Sequence, residues 1–115
     1  MIADHLAHSD PLVRRFDRWV RDHLRAAINL DSTAQDLATS KRTLARRVKE
    51  VLGKTPVAYI QDLRIERAVH LLRTGSDSVE AIAAMVGYAD GSTLRSLLRQ
   101  RLGRGVREIR MRPAG

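Results

Sequence analysis

The stretch "TLARRVKEVLG", Thr43 to Gly53, returns fifty residues later as "TLRSLLRQRLG", Thr93 to Gly103. At that offset Thr43 and Thr93, Leu44 and Leu94, Leu52 and Leu102, and Gly53 and Gly103 are identical, while Val48 faces Leu98 and Lys49 faces Arg99. Upstream the offset is 49, which aligns Leu30 with Val79, Ala34 with Ala83, Leu37 with Val86 and Ala38 with Gly87. A fixed-period echo marks two copies of one structural unit. A chain of 115 residues with 43% hydrophobic content has room for both copies only within one short architecture.

Only 3% of the residues are aromatic, and leucine, alanine and arginine dominate, a composition that disfavours sheet and favours helix. The pattern predicts an all-α chain of about seven helices forming two helix-turn-helix subdomains joined by a long linker helix. Residues 1–10 form a flexible N-terminal segment, 11–54 the first subdomain, 55–74 the linker, 75–112 the second subdomain and 113–115 a tail. The first helix opens at Pro11 behind the capping acid Asp10, and Leu12, Phe16, Trp19, Val20, His23, Leu24 and Ala27 recur along it as one apolar stripe. Asp31 and Ser32 are the capping candidates for a short helix through Ala38, and a second helix runs from Lys41 to Gly53. Thr55 caps and Pro56 begins the long helix, which extends to about Arg73 with Val57, Ile60, Leu63, Ala68, Leu71 and Leu72 inside. Then the pattern repeats: Ser78 caps a short helix, Gly87 turns the chain, Asp90 caps a longer helix ended by Gly103, and a last helix spans Gly105 to Met111.

A short helix, a tight turn and a longer basic helix make the pattern whose second helix enters the major groove of DNA. Ala34 and Ala83 are small where the two helices of each copy cross closely. At about 100° per residue, Leu44, Val48, Val51 and Leu52 turn inward. Arg42, Arg46 and Lys49 cluster opposite, with Thr43 and Ala45 flanking, Lys41 at the helix start, and Arg47 at the edge where it suits phosphate. In the second copy Leu94, Leu97, Leu98 and Leu102 turn inward, and Ser92, Arg95, Ser96 and Arg99 turn outward. Gly91 and Ser92 leave room at the helix start for close approach to base edges or phosphate. Arg42 and Arg46 are candidates for guanine or phosphate contact, and Arg47, Lys49, Arg95 and Arg99 for either role. Lys54, Arg64, Arg67, Arg101 and Arg104 read as backbone neighbours or ordinary surface.

The net charge is +8, and 18 of the 21 basic residues are arginine, so the chain seeks polyanions. Residues 1–39 hold five Arg against six Asp, so the whole excess lies downstream. Cysteine is absent, which removes disulfides and thiolate metal sites and suits a reducing cytoplasm at the nucleoid. The start "MIADHLAHSD" lacks a basic run and a long apolar stretch, and no window nears 18 uninterrupted apolar residues, so neither export nor membrane spanning is expected. His5 with His8, and Glu66 with His70, have spacings that could begin a metal site, but nothing completes either pair. No nucleophile elbow or phosphate loop occurs, so no enzyme and no cofactor are expected. The few aromatics, Phe16, Trp19, Tyr59 and Tyr88, argue against base stacking in RNA, and the mutually matched apolar stripes argue against a bilayer. Binding to nucleic acid without sequence preference, as an architectural protein, is the alternative.

"SKRTLARRVKEVLGKTPVAYIQDLRIERAVHLL" and "IAAMVGYADGSTLRSLLRQRLG" resemble the first recognition helix with its linker, and the second-unit signature, of AraC/XylS-type transcriptional regulators. The likeness covers roughly residues 12–111, and "GYAD" followed by serine is its most specific piece. The wording of "TSKRTLARRV" and "GYADGSTLRSLLRQRLGRG" is most similar to the GlxA-type branch, whose members join an N-terminal amidotransferase-like domain to this reader. The resemblance implies a DNA-binding portion or a stand-alone relative, acting on promoter DNA and meeting RNA polymerase there. It also implies base contact at Arg42, Ala45 and Arg46 and at Gly91, Ser92, Arg95 and Ser96. Four positions depart from the family pattern: Leu94 and Leu98 stand where Phe is frequent, Val106 where proline often opens the last helix, and Thr33 where leucine is usual.

Overall fold

Residues 10–111 are described by the computed structural model, and all their regular structure is helical. In chain order the helices are α1 (Pro11–His23), α2 (Leu30–Asp36), α3 (Lys41–Leu52), α4 (Pro56–Thr74), α5 (Val79–Met85), α6 (Gly91–Leu102) and α7 (Val106–Met111). Residues 1–9 of the expected flexible start, with His5 and His8, and the tail at Pro113 lie outside the described residues, whereas Asp10, expected to end that flexible segment, is buried and fixed as the cap of α1. Contacts divide the chain between Gln61 and Asp62, inside α4.

The first unit is built on Val13, Phe16 and Val20 of α1, Thr33 and Ala34 of α2, Leu37 just after it, Leu44 and Val48 of α3, and Tyr59 and Ile60 at the start of α4, all buried. Phe16 meets Tyr59 with ring centroids 5.9 Å apart. Asp10 caps α1, its carboxylate accepting from the Val13 amide at 3.0 Å, and its other oxygen takes a hydrogen bond from the Arg47 guanidinium of α3. Burial alone would raise the Asp10 carboxyl; the Val13 amide and Arg47 outweigh it and hold the group below its ordinary value. Tyr59 donates to Asp17, which also pairs with Arg21 at 3.1 Å.

The second unit packs Ile65, Ala68 and Leu72 of α4 against Val79, Ile82, Ala83, Val86, Leu94, Leu98 and Ile109. Both leucines that replace the frequent Phe are fully buried. Ile65, Ala68 and Leu72 repeat the i, i+3, i+7 spacing of Val13, Phe16 and Val20, so the second half of α4 stands to its unit as α1 stands to the first.

The copies agree in backbone detail. Ser40 and Asp90 cap the longer helices by accepting from the amides three residues on, Thr43 and Thr93, at 3.0 and 2.8 Å. Gly53 and Gly103 end those helices at φ 75° and 67°, each amide donating back to the carbonyl four residues earlier. Ala38 and Gly87, aligned in the sequence, both take positive φ, 56° and 91°. The echo extends further than the sequence alignment: the Tyr59 amide bonds the Thr55 carbonyl and the Ile109 amide bonds the Gly105 carbonyl, each at 3.0 Å. The start of α4 is therefore the counterpart of α7.

Several expectations need correction. Val13 is the buried residue near the start of α1, whereas Leu12 and Trp19 are half-buried and His23 and Ala27 exposed. Asn29, not Asp31 or Ser32, caps α2, accepting from both of their amides at 2.8 and 3.2 Å. Thr33 is fully buried, and its hydroxyl is satisfied by the Asn29 carbonyl at 2.9 Å. Val57 is 55% exposed, because α4 turns Pro56, Tyr59 and Ile60 inward instead. Val51, Leu52, Leu71 and Leu97 are only half-buried, and Leu102 is exposed.

Candidate nucleic-acid interface

Helix α3 follows a tight turn made at Ala38 and Thr39, and its start is fixed by the Ser40 cap. Leu44 and Val48 anchor its inner face, which leaves Lys41, Arg42, Arg46 and Lys49 exposed on the outer one. Thr43 is half-buried and its hydroxyl oxygen accepts from Ser40 at 2.9 Å. Ala45 is half-buried beside Leu30, Pro56 and Val57 in an apolar hollow. Lys41 lies 3.3 Å from Asp31 and Arg46 3.6 Å from Glu50, both pairs well exposed. Lys49 donates to the Gly53 carbonyl at 3.3 Å. Arg42 has no ion pair among the described residues. Arg47 is held by buried Asp10 and is the most constrained cation on this helix.

Helix α6 is built alike. Asp90 caps it, and the Thr93 amide, with help from the Thr93 hydroxyl, draws the exposed Asp90 carboxyl below its ordinary value. Ser92, Arg95, Ser96 and Arg99 are exposed, and Arg95 reaches Glu80 at 3.9 Å. Gly91 is different. It is buried, and a Cβ there would fall 2.8 Å from Glu80 Oε1 and 2.9 Å from Val79 Cγ1. The room it leaves is filled by α5, so close helix packing accounts for this glycine.

Exposed cations in weak pairs are available for exchange: a surface ion pair contributes only about 0–1 kcal/mol, so an arriving phosphate displaces the carboxylate at little cost. Sequence reasoning missed the acids that carry these cations, Asp10, Asp31, Glu50 and Glu80. Only Glu50, one helical turn from Arg46, had a spacing that could have revealed it. Among the described residues no group of three metal-ligating side chains exists, and Glu66 and His70 are both exposed. No described helix is long and apolar enough to cross a membrane.

Two copies of a capped short helix, turn and longer basic helix define a helix-turn-helix protein, and residues 33–112 match the family model described as "Helix-turn-helix domain". The chain belongs to that family, and its fold is that of AraC-type DNA-binding domains. A transcriptional regulator with an AraC-type DNA-binding domain from Chromobacterium violaceum superposes with a TM-score of 0.86 at 28% identity, over 94% of this chain and 99% of that one. The DNA-binding domain of AdpA, solved in complex with a target DNA, gives 0.78 at 29% identity, over 88% and 90%. The transcriptional activator RhaS of Escherichia fergusonii is 38% identical over 103 residues, 90% of this chain and 37% of its own length. RhaS of Escherichia coli is 33% identical over 109 residues. The chain thus spans less than two fifths of the curated relatives it matches.

Proposed function

We propose that this chain binds double-stranded DNA sequence-specifically, as the DNA-binding domain of a transcriptional regulator. The observation that carries the reading is the pair of matched units, each presenting the exposed face of a capped helix, in a chain similar to a domain solved on its target DNA. Helices α3 and α6 enter successive major grooves about 34 Å apart on one face of the duplex, so the site is an asymmetric pair of short motifs about one turn apart. Arg42 and Arg46 read guanine or grip phosphate, and Arg95, with Ser92 and Ser96, reads the second motif. Lys41, Thr43, Ala45, Lys49 and Arg99 support that contact, Arg47 serves phosphate from its tether, and Gly91 allows α6 to sit close to α5.

The branch reading extends the proposal: the wording around "TSKRTLARRV" and "GYADGSTLRSLLRQRLGRG" supports a GlxA-type regulator in which an N-terminal sensor domain accompanies this reader. The small share of the RhaS length that the chain covers fits such an arrangement. The protein acts in the cytoplasm, at the nucleoid, and meets RNA polymerase at the promoter, in keeping with relatives named transcriptional activators.

Selection from a random duplex library at physiological salt, followed by sequencing, tests the reading. Two enriched blocks about ten base pairs apart are expected. Tight binding with no enriched motif would replace it with the architectural alternative.

A further inference from the structure

We infer that Arg99, Arg104 and Arg107 form a cradle for one backbone phosphate of the duplex, which makes α7 a DNA-positioning element. This rests on the DNA-binding reading above and assigns a role to two arginines outside the candidate reading faces.

The three arginines line a single concavity of about 730 Å³ with Gly105, Glu108 and Met111. Its floor is fixed. Ile109 is fully buried, and Arg110 donates to the carbonyls of Leu72 and Gly75 at 3.3 Å and to that of Asp77. The left-handed turn at Gly103 brings the chain back beneath the last turns of α6, so that Gly105 passes under Arg99. A Cβ on residue 105 would lie 2.8 Å from Arg99 Nη2, so glycine lets that guanidinium fold down into the hollow. Arg99 is thus aimed at the cradle from the same face that carries Ser92 and Ser96.

The charge balance favours an anion. Three arginines face one carboxylate, Glu108, whose only partner in the hollow is Arg104 at 3.9 Å across an exposed gap. Arginines drawn from α6, α7 and the turn between them border one hollow, and guanidinium forks suit phosphate oxygens. The first unit supplies an internal control. At the positions equivalent to Arg99, Arg104 and Arg107 stand Lys49, Lys54 and Val57, and Val57 lines an apolar hollow with Thr55 and Pro56. The architecture by itself does not require a cation at the start of the last helix, so the third arginine, Arg107, is what the second unit adds.

The test uses the full chain and two duplexes of equal length, one carrying the selected motif and one scrambled, with affinity measured by anisotropy over a range of salt. Arg107→Ala should weaken both complexes about fivefold at about 0.15 M salt and flatten the slope of log affinity against log salt by about 0.9, the signature of one lost phosphate. Glu108→Gln should tighten both. Gly105→Ala should weaken both with an unchanged unfolding midpoint, because it displaces only the end of the Arg99 side chain. Unchanged affinities and slopes in these variants would overturn the cradle, while loss of specificity in Arg46→Ala would keep the DNA-binding reading intact. A wild-type chain that binds neither duplex would remove both. Melts with inorganic phosphate alone separate the sources: a stabilisation without DNA that Arg107→Ala abolishes would assign the cradle to a free phosphate instead.

Discussion

Replacing Asp10 by alanine removes a helix cap and an ion-pair partner in one step, and replacing it by asparagine removes only the charge. Loss of an N-cap acceptor costs about 1 kcal/mol. Arg47 is 39% exposed in its side chain and so partly screened, which limits the pair to about 1 kcal/mol. D10A should therefore destabilise by about 2 kcal/mol and D10N by about 1 kcal/mol, measured as urea midpoints followed by circular dichroism at neutral pH. The folded carboxyl titrates below the unfolded one, near 3.9. Its stabilisation is accordingly complete above about pH 5 and is lost as pH falls through the folded value, so the gap between wild type and D10N should close in acid. Freed from its tether, Arg47 should also strengthen duplex binding in D10N. If D10N matched wild type at neutral pH, the charge of Asp10 would contribute nothing and the tether would be an accident of proximity. If D10A matched D10N, the cap would be idle.

Three further outcomes follow from the same geometry. Ala38→Gly should stabilise by about 0.5 kcal/mol, because relief of the left-handed backbone slightly exceeds the added unfolded-state entropy, while Gly87→Ala should destabilise by about 1 kcal/mol; a shared sign in chemical denaturation would show that the two turns are not equivalent. Arg46→Ala should lower discrimination between the selected and scrambled duplexes by about 1–3 kcal/mol, and equal weakening of both in a binding titration would reassign Arg46 to phosphate. With about six phosphates neutralised, the wild-type salt slope should be near −5, and a slope near zero would refute the electrostatic basis of binding.

The repeat was legible because it is written in residues with local jobs. Asp10, Ser78 and Asp90 cap, and Gly53, Gly87 and Gly103 turn, wherever tertiary contacts fall. The misreadings arose where a tertiary contact chose among local equals. Asn29, Asp31 and Ser32 are all competent caps; the register that buries Thr33 and Ala34 selects Asn29. Helix α4 carries no single apolar stripe, since Tyr59 and Ile60 serve one core and Ile65, Ala68 and Leu72 the other, and periodicity over the whole helix misplaced Val57 and overlooked Tyr59 and Ile65. In the candidate interface the outward faces were readable from spacing alone. The acids paired with them were not, because Asp10 lies 37 residues from Arg47 and Glu80 belongs to a different helix from Arg95.

Those pairings also set the charge that the surface presents before any contact is made. Lys41, Arg46 and Arg95 each rest on a carboxylate that solvent already reaches, so a passing phosphate can take its place and the carboxylate can reclaim the cation at once. A surface of unpaired guanidiniums would cling to any stretch of polyanion it met. Three of the outward cations thus stay partly neutralised until a phosphate arrives, while Arg42 is offered to it directly.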